Sequence, residues 1–184
     1  MNNEIKENIT DANELINIAY RYAMRLISMR NYSYKKLLNK LIEKNHGKEI
    51  SKLAINKLNN EGFYKEEYFT NSFVRSLIKK GNSLDLVKRS LQHEGIQLTI
   101  AELKEKSAEL TNEKYSEIKQ IEDLINKKQN LLLKWATLEK NEKYQAEQKM
   151  MRFLVSKGHQ FDACKTAIKN YIQTNLTTKD CDDI

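Results

Sequence analysis

The sequence predicts an all-α protein made of many short helices. Its 184 residues include no proline and five glycines, and each glycine follows a run whose apolar residues are spaced by three and four positions. Glycine at such a position adopts the left-handed conformation with little strain, which is a common way for a helix to end. The five positions that divide the chain are Gly47, Gly62, Gly81, Gly95 and Gly158.

Apolar residues at helical spacing give the buried face of each helix. In chain order these seams are Leu15, Ala19, Tyr22 and Leu26, then Leu37, Leu38, Leu41 and Ile42, then Ile50, Leu53, Ala54 and Leu58, then Phe69, Phe73, Leu77 and Ile78, and finally Leu84, Val87 and Leu91. Capping residues mark three helix starts: Asp11 with Glu14 in the form of a capping box, Ser33 before the second helix and Asn82-Ser83 before the fifth.

The short second helices share one spacing, which indicates an internal repeat. The matching sets are Ser33, Leu37, Leu41 and Asn45; Ser83, Val87, Leu91 and Gly95; and Ala146, Met150, Leu154 and Gly158. We therefore expect a polar N-terminal tail at residues 1–12, three-helix repeats at 13–62, 63–110 and 111–175, and a C-terminal tail at 176–184. A unit of roughly fifty residues buries little surface alone, so the tandem repeats should pack in series into an elongated body, straight or curved.

The third repeat is expected to contain a long charged helix, because charged residues are dense from Lys104 to Tyr144 and the apolar stripe there is thin. Trp135 is the single tryptophan. We interpret it as a core anchor of this repeat rather than as a base-stacking platform, because buried aromatic rings dominate small cores.

Charge and composition favour an anionic partner. The net charge is +7, and from Leu15 to Leu58 ten basic residues face only two acidic ones. No apolar run is long enough to span a membrane and the polar start "MNNEIKENIT" does not resemble a signal peptide, so we expect a cytoplasmic protein with no membrane partner. Cys164 and Cys181 lack metal-ligand or redox spacing and are interpreted as free thiols.

No catalytic or cofactor-binding motif occurs, so neither an enzyme nor a bound cofactor is expected. His46, His93 and His159 each lie within two residues of a glycine. A metal or acid–base site built on His159 and Cys164 is one interpretation. We favour the other, in which a histidine near a helix end bonds free carbonyls. Adjacent Glu66 and Glu67 are likewise expected to supply charge at a helix start.

Basic residues spaced by four positions line the faces opposite the apolar seams. They are Arg21 and Arg25; Lys36, Lys40 and Lys44; Lys48 and Lys52; and Arg75 and Lys79. Any one of these stripes is better explained as an ordinary solvated face. Several stripes with few acids between them favour contact with a phosphate backbone or an acidic groove.

Three blocks of the sequence resemble the RecX family, the bacterial regulators of the RecA recombinase. The blocks are "YRYAMRLISMRNYSYKKLLNKLIEKN", "AINKLNNEGFYKEEYFTNSFVRSLIKKGNSLDLVKRSLQHEGI" and "KMMRFLVSKGHQFDACKTAIKNYI". The resemblance covers about Ile18 to Ile172 and is weakest from Lys104 to Leu124. The family usually carries two aspartates after "GFY", where this chain has Lys65, Glu66 and Glu67. Ser83 replaces a frequent second glycine, and His159 replaces an aromatic residue of the last joint.

The resemblance implies three-helix repeats that lie in the groove of the RecA filament on single-stranded DNA. There the family limits filament growth or promotes disassembly, which reduces strand exchange, ATP hydrolysis and induction of the SOS response. It implies RecA and non-specific single- or double-stranded DNA as partners, and we expect a monomer. The residues expected to contact filament or DNA are Arg21, Arg25, Arg30, Lys36, Lys40, Arg75, Lys79, Lys80, Lys88, Arg89, Arg152 and Lys157.

The segment from Ser76 to Ile96 has the outline of a helix-turn-helix, so a DNA-binding transcriptional regulator is the alternative function. In its second helix Leu84, Val87 and Leu91 are expected to pack inward, whereas Lys88, Arg89 and Gln92 are expected to face outward. A helical-repeat adaptor with no nucleic-acid role is a third possibility. The lack of a clear dimerisation segment argues against the transcriptional regulator.

Overall fold

The computed structural model describes residues 2–132 and 138–176, and these residues are all-α as predicted. Its helices are α1 (Asn2–Met29), α2 (Tyr34–Glu43), α3 (Lys48–Asn60), α4 (Glu66–Lys79), α5 (Leu84–His93), α6 (Ile100–Thr111), α7 (Glu117–Lys127), α8 (Lys140–Ser156) and α9 (Phe161–Asn175), with a short 3-10 turn at Gln129–Leu131. None of the helices in these two ranges combines the length and apolar character that crossing a bilayer requires.

The breaks between helices fall where the glycines predict them. All five glycines have positive φ, from 72° at Gly47 to 89° at Gly95. Ser33 caps α2 by accepting a hydrogen bond from the Lys36 backbone N–H, and Ser83 accepts one from the Leu86 N–H at the start of α5. The start predicted at Asp11 is wrong, because α1 already begins at Asn2.

The described residues form two compact units whose borders fall inside α4, inside α5 and in the connection between α5 and α6. One unit contains residues 2–73 and 91–97, and the other contains 74–90, 98–132 and 138–176. The two units are defined by how compactly their residues pack and not by structural repetition. The division of the chain into three repeats therefore stays a prediction.

The core of the first unit is made by α1, α2 and α3. Its fully buried side chains include Ala19, Leu37, Leu41, Ala54 and Leu58. Three predicted seam residues are instead exposed, namely Leu15, Ile42 and Leu53. Each has a chain neighbour that packs in the core, and neighbours on a helix point about 100° apart, so only one of each pair can face inward.

The core of the second unit is made chiefly by α7, α8 and α9, with Ile121, Met150, Leu154 and Ile168 among its buried residues. Cys164 lies in this core as a free thiol, as predicted, and burial raises its pKa to about 11. Trp135 and Cys181 lie outside the described residues, as does the tail after Leu176.

The long charged helix predicted between Lys104 and Tyr144 is replaced by shorter elements. Asn112 takes a left-handed conformation with φ 57° and ends α6, and Ser116 then caps α7. Asparagine tolerates that conformation better than most residues, but its presence alone does not announce a helix end. This interruption positions the turn 112–116, which borders the cleft described below.

Candidate functional site

The five predicted contact residues of the first unit are all exposed. They are Arg21, Arg25, Arg30, Lys36 and Lys40. Arg30 stacks its guanidinium 4.6 Å from the centre of the Tyr32 ring, and Lys40 pairs with Glu43 at 2.7 Å. Arg21 and Arg25 lie one turn apart on α1 and present their charges on the same side of the helix.

Lys36 is already engaged within the first unit. Its Nζ lies 2.5 Å from Oε1 of Glu94, and the Ser33 hydroxyl donates to Oε2 of the same carboxylate at 2.9 Å. Glu94 is only 6% exposed. The salt bridge therefore gives Lys36 a structural role, which makes it a weaker candidate for partner binding than its neighbours.

The environment of Glu94 sets its protonation. Burial by itself raises the pKa of this carboxyl, but the hydrogen bonds from Lys36 and Ser33 outweigh burial and leave the pKa lowered. Ser33 therefore has two roles, because the same hydroxyl oxygen also caps α2. The cluster fixes the segment 91–97 to the start of α2.

Glu66 supports the same helix start from α4. Its Oε1 accepts a hydrogen bond from the Tyr34 backbone N–H at 2.8 Å. The sequence correctly places Glu66 in the first turn of a helix, but the N–H group that it satisfies belongs to α2. A contact across 32 positions has no signal in local spacing.

The seven predicted contact residues of the second unit lie on α4, α5 and α8 or directly after them. Arg75, Lys79, Lys80, Arg89 and Arg152 are exposed, whereas Lys88 and Lys157 are half-buried. Arg89 and Arg152 each hold a carbonyl of their own helix, at 3.4 Å and 3.3 Å. Lys157 lies over the Phe153 ring at 5.9 Å.

Arg75 and Lys79 border a cleft of about 480 Å³ within the second unit. The cleft is bounded by the last turns of α4 and α6, by the turn 112–116 and by α7. Three further cations line it, which sequence reasoning did not select: Lys114, Lys119 and Lys127. The sequence does show these lysines beside an apolar stripe. A single continuous helix, as predicted, would place them at separate points along its length and would not bring them together at one site.

Gly81 allows α7 to pack closely beside this cleft. A Cβ built at Gly81 would lie 2.5 Å from Cδ2 of Leu124, and the backbone there has φ 74°. Leu124 also lines the cleft. Glycine is therefore required at this helix end both for its conformation and for the approach of α7.

His159 joins two helix connections within the second unit. It is 3% exposed, with Nε2 2.9 Å from the Gly81 carbonyl oxygen and Nδ1 3.2 Å from Oε1 of Glu117. Both neighbours are acceptors, and the ring nitrogen that carries a proton donates to the acceptor it faces. The carbonyl that His159 contacts belongs to Gly81, just after α4. No group of three or more ligating side chains positioned for a metal occurs among the residues with described side chains.

Ser83 reinforces the same joint. Its hydroxyl donates to the Gly158 carbonyl at 2.7 Å, and its backbone N–H donates to the Lys157 carbonyl at 2.9 Å. The connection between α8 and α9 is thereby fixed to the connection between α4 and α5, which positions Lys80 and Lys157 at one joint.

Comparison with known proteins gives one consistent family. No family model matches the chain. It is 28% identical over 166 residues to the regulatory protein RecX of Clostridium perfringens strain SM101, covering 90% of this chain and 73% of that protein. It is 24% identical over 146 residues to the regulatory protein RecX of Haemophilus influenzae strain PittEE, covering 79% of this chain and 89% of that one.

Two solved structures share the fold. The crystal structure of RecX from Lactobacillus salivarius matches with a TM-score of 0.62 and 19% identity, covering 86% of this chain and 97% of that chain. A second crystal structure of a regulatory protein RecX matches with a TM-score of 0.66 and 16% identity, covering 90% and 77%. The resemblance to the RecX family is confirmed. The RecX relatives are named as regulatory proteins rather than as enzymes.

Proposed function

We propose that this chain binds the RecA filament on single-stranded DNA and inhibits it, by limiting filament growth or by promoting disassembly. The observation that carries the proposal is the similarity to the regulatory protein RecX of Clostridium perfringens strain SM101 over 90% of the chain. The activities that would fall are strand exchange, ATP hydrolysis and the co-protease activity that induces the SOS response. A cytoplasmic, monomeric and non-enzymatic protein is part of this proposal.

The exposed cations support a partner that contains DNA. Arg21 and Arg25 on α1, and Lys79 and Lys80 at the end of α4, project into solvent with their charges available. A strand of phosphates attracts such side chains mainly through counterion release, which makes binding fall as salt rises. An adaptor with no nucleic-acid role would show little dependence on salt.

Charge reversal on α5 tests the proposed contact residues. The variant Lys88→Glu with Arg89→Glu should bind RecA filaments about tenfold more weakly, because each change replaces an attraction to the anionic filament by a repulsion. Cosedimentation with RecA assembled on single-stranded DNA measures this affinity. Circular dichroism should show unchanged helix content, because Arg89 is exposed and Lys88 is only half-buried.

The matched control changes two exposed lysines of α9 that are outside the predicted contact set, Lys165→Glu with Lys169→Glu. It alters the net charge by the same amount. If both double variants bind the filament equally well, α5 is not part of the interface and only the overall charge matters.

The transcriptional regulator predicts a different result. Leu84, Val87 and Leu91 of α5 are buried as expected. The side chains that this helix could present to base edges include Lys88, Arg89 and Gln92, which are half-buried or exposed. A footprint restricted to one DNA sequence would favour that function, whereas uniform protection of DNA only in the presence of RecA favours filament binding.

A further inference from the structure

The cleft between α4, α6 and α7 has two chemically distinct parts. Ile78, Leu110 and Leu124 give it an apolar floor. Its rim carries the cations Arg75, Lys79, Lys114, Lys119 and Lys127 and the carboxylates Glu113 and Asp123. All of these residues belong to one compact unit, so the site is complete within that unit.

The charge of the rim is not balanced internally. Glu113 is neutralised by Lys119, whose Nζ lies 2.7 Å from its Oε2. Four cations then remain around the single carboxylate of Asp123, and no salt bridge holds them among the residues with described side chains. Such a concentration of like charge favours an anion, and Arg75 can contact a phosphate through two parallel N–H groups.

The size of the cleft limits what enters it. About 480 Å³ is within the range of roughly 300–1,000 Å³ that small-molecule pockets occupy. An apolar floor with a cationic rim suits a base packed against aliphatic side chains and a phosphate held at the surface. A base-paired duplex keeps its bases stacked inside and cannot place one on this floor.

We propose that the cleft binds a nucleotide of single-stranded nucleic acid, with Arg75, Lys79, Lys114 and Lys127 around the phosphates and the base on the floor formed by Ile78, Leu110 and Leu124. The inference rests on the proposed function, because it assigns the DNA contact of the filament regulator to a particular site. It adds Lys114 and Lys127 to the contact residues.

The first test measures binding of a fluorescent oligothymidylate to the full chain by anisotropy, at several salt concentrations. Lys114→Glu with Lys127→Glu should weaken binding by about tenfold or more, and Lys114→Gln with Lys127→Gln should reduce the salt slope by about two. The control Lys140→Glu with Lys149→Glu carries the same charge change on exposed positions of α8 outside the cleft. Equal loss in the two glutamate double variants would overturn the cleft as the binding site.

A second variant should bind the oligothymidylate more tightly. Misfolding would weaken binding, so a gain in affinity cannot result from misfolding. Glu113→Gln removes one negative charge from the rim and releases Lys119 from its salt bridge. We expect about threefold tighter binding of the oligothymidylate. Unchanged or weaker binding with intact helix content would contradict the assignment.

A third measurement uses the unmodified protein. An oligonucleotide containing 5-iodouracil is irradiated with the chain, and the cross-linked peptide is identified by mass spectrometry. The peptide containing Tyr115 is expected, because Tyr115 lines the cleft. Cross-links found only in α1 or α2 would overturn the proposal.

Two comparisons separate the remaining outcomes. Thymidine monophosphate and ATP are used as competitors, and displacement of the oligonucleotide by either at equal affinity would assign the cleft to a free nucleotide instead of a strand. RecA ATP hydrolysis is then measured with the same variants. If a cleft variant no longer binds the oligonucleotide but still inhibits RecA, the cleft proposal is wrong and filament regulation is still supported. If the unmodified chain binds the oligonucleotide through the cleft but does not inhibit RecA, filament regulation is wrong and the cleft proposal is still supported.

Discussion

Glu94 connects distant parts of the first unit through a single buried carboxylate. It receives the Ser33 hydroxyl and the Lys36 ammonium, which lie 61 and 58 positions away along the chain. Local sequence patterns predict the cap at Ser33 and the exposure of Lys36, and the structure confirms both. They cannot predict the carboxylate, because nothing in helical spacing indicates which distant residue arrives at the start of α2.

Replacing Glu94 by glutamine should destabilise the first unit by about 1–3 kcal/mol, because a hydrogen-bonded buried charge is lost while the shape is kept. Urea denaturation measures the change. The pKa of Glu94 is below the ordinary value of 4.5, so its stabilising effect is present above that value and is lost as the pH falls through the folded-state pKa. The variant should therefore lose less stability on acidification than the parent, and an identical acid dependence would contradict this role.

Helices and their connections were largely predictable from the sequence. The glycines gave the breaks, and Ser33 and Ser83 gave two starts, because backbone conformation and capping are local properties. The division of the segment from Lys104 to Tyr144 was missed, because Asn112 ends α6 without a glycine. Lys114 and Lys127 of the cleft were missed for the same reason, since only that break brings the turn and α7 to one site.

The connection between α8 and α9 gives a sharp test of packing at a helix end. A Cβ at Gly158 would lie 2.6 Å from the Ser83 Oγ and 2.7 Å from the Leu86 Cβ, whereas a Cβ at Gly62 meets nothing within 4 Å. Both glycines have positive φ. Gly62→Ala should cost about 1–2 kcal/mol from conformation alone, and Gly158→Ala should cost about 1–3 kcal/mol more through crowding.

Thermal and urea denaturation of the two alanine variants, followed by circular dichroism, measure that difference. Because conformation contributes similarly to both, the comparison isolates the contact between the two connections. Equal destabilisation would mean that Ser83 and Leu86 can move aside freely, and that the joint is less closely packed than the distances indicate.

At the scale of the whole molecule, the sequence indicated an all-α chain similar to RecX proteins, and the fold and the relatives confirm this. It could not separate binding cations from structural ones. Lys36 forms a salt bridge with Glu94, whereas Arg75 and Lys79 border a cleft that exists only when α6 and α7 pack beside α4. These roles depend on contacts between residues that are far apart in the sequence.

The most direct test of filament regulation is the rate of single-stranded-DNA-dependent ATP hydrolysis by the cognate RecA while this protein is titrated in. Binding of the protein to the same DNA without RecA is measured in parallel. Filament regulation predicts that hydrolysis falls at concentrations too low to coat the DNA. Undiminished hydrolysis together with tight, salt-sensitive binding to DNA alone would contradict it and would favour a DNA-binding regulator that shares the RecX fold.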